Sequence, residues 1–192
     1  MTQKDIKTLR EKTGVGVLNC QKALKEANGD IEKALEVLRK KGQKIVESKK
    51  SRATNEGRIG SYVHANGKIG VLVKLVCETD FVAKTDEFKS LAHDLAMQVA
   101  ATNPKWLVSE DIPEKVIKKE KEIYENEIKE EKPEKIMKKI IQGKLEKFYD
   151  KNCLLRQEFI KNDDITIKQL LKRKISSLGE NIKIEDFIRF EL

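Results

Sequence analysis

The side chains able to do chemistry in this sequence mostly lack the company that chemistry needs. His64 and His93 are its only histidines. They have no metal-ligand spacing to each other or to Cys20, Cys77 or Cys153. The cysteines are odd in number and far apart, which indicates neither a disulfide framework nor a zinc site. Each is better read as a small buried hydrophobe in a reducing compartment. Gly14-Val15-Gly16 lacks the third glycine and the preceding strand of a dinucleotide fingerprint, and no Gly-Lys-Ser/Thr loop is present to cradle phosphate. Asp163-Asp164 reads as a helix-initiating turn before Thr166 rather than a carboxylate pair. No catalytic residue, metal or cofactor is expected. The chain offers surfaces instead of an active site.

One surface is written into Thr79-Asp80-Phe81-Val82-Ala83-Lys84. The stretch follows the apolar run Ile69 to Val76 and precedes an amphipathic pattern that resumes at Phe88. Thr85 is a good N-cap, and Asp86 and Glu87 would meet the positive end of the helix dipole. A helix beginning at Thr85 leaves Thr79 to Lys84 as a connector presenting an acid beside an aromatic, a pair suited to insertion into a partner. The alternative is burial. Phe81 lies seven residues before Phe88, so one continuous helix would put both on the core face. Pattern alone leaves the two readings open.

The elements that would position this stretch are legible on either side of it. Three short helices fill the first forty residues. Thr2 and Asp5 cap the first, which turns Ile6 and Leu9 inward and ends at Thr13-Gly14. The second carries Cys20, Ala23, Leu24 and Ala27 on one face. Asp30 caps the third, with Ile31, Ala34, Leu35 and Leu38 at helical spacing. Arg39 to Arg52, rich in Lys and Arg, reads as a basic linker, either a solvated tether or a frayed helix end. From Gly57 the period changes. Arg58 to His64 and Lys68 to Cys77 read as strands joined at Asn66-Gly67. The second strand is apolar on both faces, as a central strand would be. Pro113 and Pro133 open two charged helices that suggest an antiparallel hairpin over 113–150. A last helix, Ile167 to Leu178, ends at Gly179 and leads to a strand-like run, Ile182 to Leu192. The fold class is α+β: a three-helix module over 1–50, then a core over 51–192 with about three antiparallel strands.

Composition narrows the partners. The 192 residues carry 38% charged and only 5% aromatic side chains, with a net charge of +8. Lysines alternate with glutamates along helix faces, which marks solvated helix surface rather than a dedicated nucleic-acid binder. The basic run has no aromatics to stack on bases, so no specific nucleic acid is expected. No stretch reaches the ~20 apolar residues of a membrane span, and no signal peptide precedes the first helix. A cytoplasmic protein is expected.

Several ordered motifs then resemble one family. Thr13-Gly14-Val15-Gly16, Cys20-Gln21-Lys22-Ala23-Leu24 and Ala27-Asn28-Gly29-Asp30 are similar to the N-terminal module of bacterial elongation factor Ts. Thr79 to Lys84 looks like that family's signature. Lys132-Pro133-Glu134-Lys135-Ile136, Gly143-Lys144-Leu145, Asn152-Cys153-Leu154-Leu155 and Arg189-Phe190-Glu191-Leu192 extend the likeness over nearly the whole chain. The resemblance implies a ubiquitin-associated-like N-module. It also implies a non-enzymatic exchange factor that binds elongation factor Tu, GDP-bound and nucleotide-free, and promotes GDP release. By the same resemblance Asp80 and Phe81, with Thr79 and Val82, disturb the partner's Mg²⁺ site, and Val17 and Leu18 grip a helix of its G domain.

Three departures stand out. Val17-Leu18 replace the methionines usual in longer members, and Glu158 stands where a proline is expected. The longer form also repeats its core subdomain, whereas this chain has one copy. A homodimer packing sheet on sheet would stand in for the missing half. Two other classes compete: an RNA-binding helical protein, and a passive scaffold that holds a GTPase without driving exchange.

Overall fold

The computed structural model describes residues 2–128 and 133–192. Lys132, the first residue of one family-like motif, lies outside them. The N-terminal helices form as their caps dictate. Thr2 closes a capping box with Asp5 at the start of α1 (Gln3–Thr13), and Gly14 ends it in the left-handed region, φ 69°. Next comes α2 (Val17–Glu26), stopped by Asn28 and Gly29, both at positive φ. Asp30 caps α3 (Ile31–Lys49) by accepting from the N–H groups of Glu32 and Lys33. Leu9, Cys20, Ala23, Leu24, Ala27, Ala34 and Leu38 close a small core of their own.

The tether reading of the basic run is overturned, because α3 is helical through Lys49. Lys, Gln and Glu are strong helix formers, and the run has an inward face. Val46 packs against the main core. Gly42 approaches the helix Ile167–Leu178 so closely that a Cβ would stand 3.2 Å from Ser176 Oγ.

The main core is a sheet with helices on one face. β1 (Glu56–Val63) and β2 (Ile69–Cys77) pair antiparallel around a turn in which Gly67 takes φ 68° and Asn66 accepts from the N–H of Lys68. The expected central strand is found: the order is β1-β2-β5, with β5 (Lys183–Glu191) antiparallel to β2. Between β2 and β5 in sequence stand α4 (Asp80–Ala83) and α5 (Asp86–Thr102), then α6 (Glu114–Glu127) and α7 (Glu134–Asn152). After these come β3 (Glu158–Phe159), β4 (Asn162–Thr166) and α8 (Ile167–Leu178). Val71, Val73, Leu75 and Ile184 point inward and meet Phe88, Leu91, Leu95 and Val99 of α5. Contact is tight at Gly60, where a Cβ would come within 2.4 Å of the Ala92 carbonyl oxygen.

One further expectation needs correction. Asp163 and Asp164 are not a turn but part of β4, paired with β3 in a small antiparallel sheet that Glu158 begins. Thr166, at its end, caps α8 through a capping box with Gln169. The buried amide of Gln98 stitches α5 to this sheet, donating to the Glu158 carbonyl at 3.0 Å and accepting from the Ile160 N–H at 2.9 Å. Helices α6 and α7 pack on each other, with Lys144 reaching Glu127 and the ring of Tyr124. No residue of α6 is buried, and only Ile141 and Leu145 of α7 are.

Candidate functional site: an exposed Asp-Phe turn braced from behind

The signature stretch resolves the open question about Phe81. Thr79 caps α4, its hydroxyl facing the Val82 N–H at 3.5 Å. The chain then leaves the helix. Thr85 is extended (φ −66°, ψ 148°) and caps α5 by accepting from the Phe88 N–H at 3.2 Å. This break resets the helical phase. Phe81 is 80% exposed while Phe88 is fully buried. The core reading of Phe81 is therefore overturned, because it assumed one continuous helix.

The four residues divide by direction. Val82 packs partly against the core and Ala83 is buried, so the turn is seated on the sheet and α5. Asp80 and Phe81 face outward. Lys84 Nζ donates to the Asp80 carboxylate at 2.6 Å. That bond, more than any other cause, holds the Asp80 carboxyl below its ordinary range and raises the Lys84 ammonium. Asp80 is thus an anion at neutral pH whose ion-pair partner among the described residues is the exposed Lys84, a surface pair of the kind that contributes little to stability.

The other candidates lie on the N-terminal module. Val17 and Leu18 open α2 directly after Gly16, 43% and 71% exposed, while Cys20, Ala23 and Leu24 fill the inward face. The structure gathers Thr79–Val82 into one turn and keeps Val17 and Leu18 on a separately packed cluster.

Behind the turn sits a polar corner that the sequence reading missed. The Glu180 carboxylate accepts from the N–H groups of Glu78 and Thr79 and from the Thr79 hydroxyl. Nothing local signals it, since Glu180 lies 101 residues from Thr79. Burial pushes the Glu78 carboxyl up, but donation from the Asn181 N–H and Arg52 outweighs it and leaves the group below its usual value. Burial, with some help from Glu180, drives the Cys77 thiol up to about 11. The buried thiol donates to the Thr79 carbonyl at 3.2 Å, a structural role.

Both histidines are exposed. His64 meets the Tyr62 hydroxyl at 3.0 Å, and His93 lies 3.2 Å from the Ser61 carbonyl. Among the described residues no group of three or more His, Cys, Asp or Glu is placed to hold a metal ion. No helix among them is long and apolar enough to cross a membrane.

Residues 8–192 match the sequence profile of the family described as Elongation factor TS. The chain belongs to the elongation factor Ts family. It is similar to the Elongation factor Ts of Thermotoga neapolitana, 56% identical over 187 residues that cover 97% of this chain and 94% of the relative. The Elongation factor Ts of Carboxydothermus hydrogenoformans is 53% identical over 193 residues, covering 100% of this chain and 89% of its own length. That of Moorella thermoacetica is 52% identical over 189 residues, 98% and 93% of the two chains. The elongation factor Ts family works in translation elongation as a nucleotide exchange factor for elongation factor Tu, without making or breaking a covalent bond.

Proposed function

We propose that this chain binds elongation factor Tu·GDP through two surfaces and drives GDP out by wedging one of them toward the partner's Mg²⁺ site. Val17 and Leu18 dock the N-terminal module, residues 1–50, on the G domain. Thr79 to Val82, on the core of residues 51–192, carry the wedge. The single observation that supports this reading most is the large exposure of Phe81 on a turn whose neighbours Val82 and Ala83 are anchored. An exposed aromatic on a braced turn can push; one on a loose loop would recoil.

Thermodynamics sets the requirement. A ligand that binds two states equally shifts nothing, so the factor must hold the nucleotide-free partner more tightly than the GDP-bound one. Coupling between the factor and GDP is reciprocal, each weakening the other's hold. A bound Mg²⁺ is the largest local charge on a diphosphate, and an anion such as Asp80 brought near its coordination sphere competes for it. Phe81 supplies the steric part and Asp80 the electrostatic part.

The same reading takes the chain to work as a homodimer in the cytoplasm. The sheet face turned away from α5 carries Ile59, Val63, Leu72, Ile188 and Phe190, all exposed, with Phe190 at 63%. Three strands with one uncovered apolar face gain stability when covered. A second copy offers the same patch about a two-fold axis, and two such faces make a sheet-on-sheet interface.

Stopped-flow release of labelled GDP from elongation factor Tu, with and without this protein, tests the exchange reading. Accelerated release is expected. Tight binding with unchanged release would make the protein a passive scaffold. The Asp80 role is tested by repeating the trace for Asp80→Ala with and without EDTA. The defect should shrink once magnesium is chelated; an undiminished defect means that Asp80 does not act through the ion.

A further inference from the structure

A four-residue helix cannot hold its own shape, since so short a turn sits far below the length at which backbone bonds offset nucleation. The corner behind α4 supplies what it lacks. Glu180 Oε2 accepts from the N–H groups of Glu78 (3.1 Å) and Thr79 (3.0 Å), and Oε1 accepts from the Thr79 hydroxyl at 2.6 Å. A hydroxyl has one proton. With that proton committed to Glu180, the Thr79 oxygen can only accept at its other position, toward the Val82 N–H. The carboxylate thereby sets both the backbone and the cap of the turn.

The arrangement is reciprocal. Glu78 accepts from the Asn181 N–H at 2.7 Å and from Arg52 at 3.1 Å. Asn181, buried, donates from its amide to the Arg52 carbonyl at 2.9 Å. Two adjacent pairs, Glu78-Thr79 and Glu180-Asn181, thus exchange carboxylates and close on the backbone just beyond α3. Gly179, at φ 74°, ends α8 and turns the chain so that Glu180 meets this corner.

We propose that Glu180 is a positioning residue for nucleotide exchange, clamping the Asp80-Phe81 turn so that docking is converted into displacement at the partner's nucleotide site. This inference rests on the wedge reading of Asp80 and Phe81. The clamp joins the wedge to the end of α3, and through that helix to the module bearing Val17 and Leu18. The docking and wedging surfaces therefore act as one piece. Without the clamp, Phe81 still reaches the partner, but the turn yields instead of the nucleotide site. Loss of the clamp should appear in the maximal rate and not in the concentration dependence.

The test is GDP release from elongation factor Tu, measured across a range of factor concentrations. It uses Glu180→Ala and Glu180→Gln, each alone and combined with Phe81→Ala. Glu180→Ala is expected to lower the saturating rate by about tenfold, with the half-saturating concentration shifting by less than about threefold. Glu180→Gln keeps the shape but cannot accept at both ends, so it should fall between wild type and Glu180→Ala; it also serves if the alanine variant does not fold. In the Phe81→Ala background, replacing Glu180 should add less than about twofold, because both residues act through one turn. The same fold-loss in both backgrounds, or a loss carried by the half-saturating concentration, would overturn the clamp and leave the wedge standing. Unchanged release by Phe81→Ala alone would overturn the wedge reading, and the clamp with it.

Discussion

Phe81 and Phe88, seven residues apart, occupy opposite environments: one is 80% exposed on a four-residue turn, the other is fully buried between the sheet and α5. The extended backbone of Thr85 separates them. Phe88→Ala should cost about 3–5 kcal/mol of stability, the range for truncating a buried aromatic. Phe81→Ala should cost less than about 1 kcal/mol, as a surface change does. Chemical denaturation of the two variants checks the contrast, and equal losses would contradict it.

Docking by the N-terminal module should be separable from its folding. Val17 and Leu18 are exposed at the start of α2 while its inward face is filled by other residues. Changing both to Ser is expected to weaken binding to elongation factor Tu by about tenfold or more, equivalent to about 1.4 kcal/mol. The melting temperature should move little. A large stability loss with intact binding would mean that the pair belongs to the core.

Much of the architecture that holds these surfaces was written locally. Thr2 with Asp5, Asp30, Thr85, and Gly14 and Gly179 each did at a helix end what their chemistry predicts. Asn66-Gly67 marked the hairpin, and the apolar faces of β2 marked it as central. What escaped depended on contacts far along the chain. Arg39 to Arg52 reads as a linker because Lys and Arg dominate it, yet Gly42 and Val46 give its helical part a face that packs on the core. The two-residue strand Glu158–Phe159 is too short to show a period, and its partner β4 is rich in polar side chains. Glu180 could not be matched to Thr79 by any spacing rule. Phe81 was ambiguous for a different reason: period alone cannot show where a helix breaks.

The outer sheet face predicts assembly. Leu72 sits at its centre, opposite Ile188 on one side and Ser61 on the other. Wild-type protein should scatter light as a dimer at tens of micromolar, and Leu72→Lys should give a folded monomer, since a charge there would be buried without a partner. A monomeric wild type with a cooperatively folded core would contradict this account.

Acid should destabilise the fold from one direction only. Donation from Arg156, then Gln142, holds the Glu146 carboxyl below its ordinary 4.5. For Glu87, burial pushes the carboxyl up, but Lys174 and Ser177 outweigh it and leave it lowered as well. Folded values lie below unfolded ones, so the unfolded chain binds more protons as pH falls. The contribution of these groups is fully present above about pH 4.5 and is lost as pH drops through the lowered values. Thermal melts should be level from about pH 6 to 8 and decline below about pH 4.5. A stability maximum near pH 4 would contradict the assignment.

In the proposed wedge, Phe81 acts on the partner's nucleotide site and not merely on docking. The most direct test is the rate of labelled GDP release from elongation factor Tu at a saturating concentration of the Phe81→Ala protein. Release should be slowed by about tenfold or more, as follows from losing about 1.4 kcal/mol of preference for the nucleotide-free partner. Release as fast as with the unaltered protein, once the variant is saturating, would contradict it.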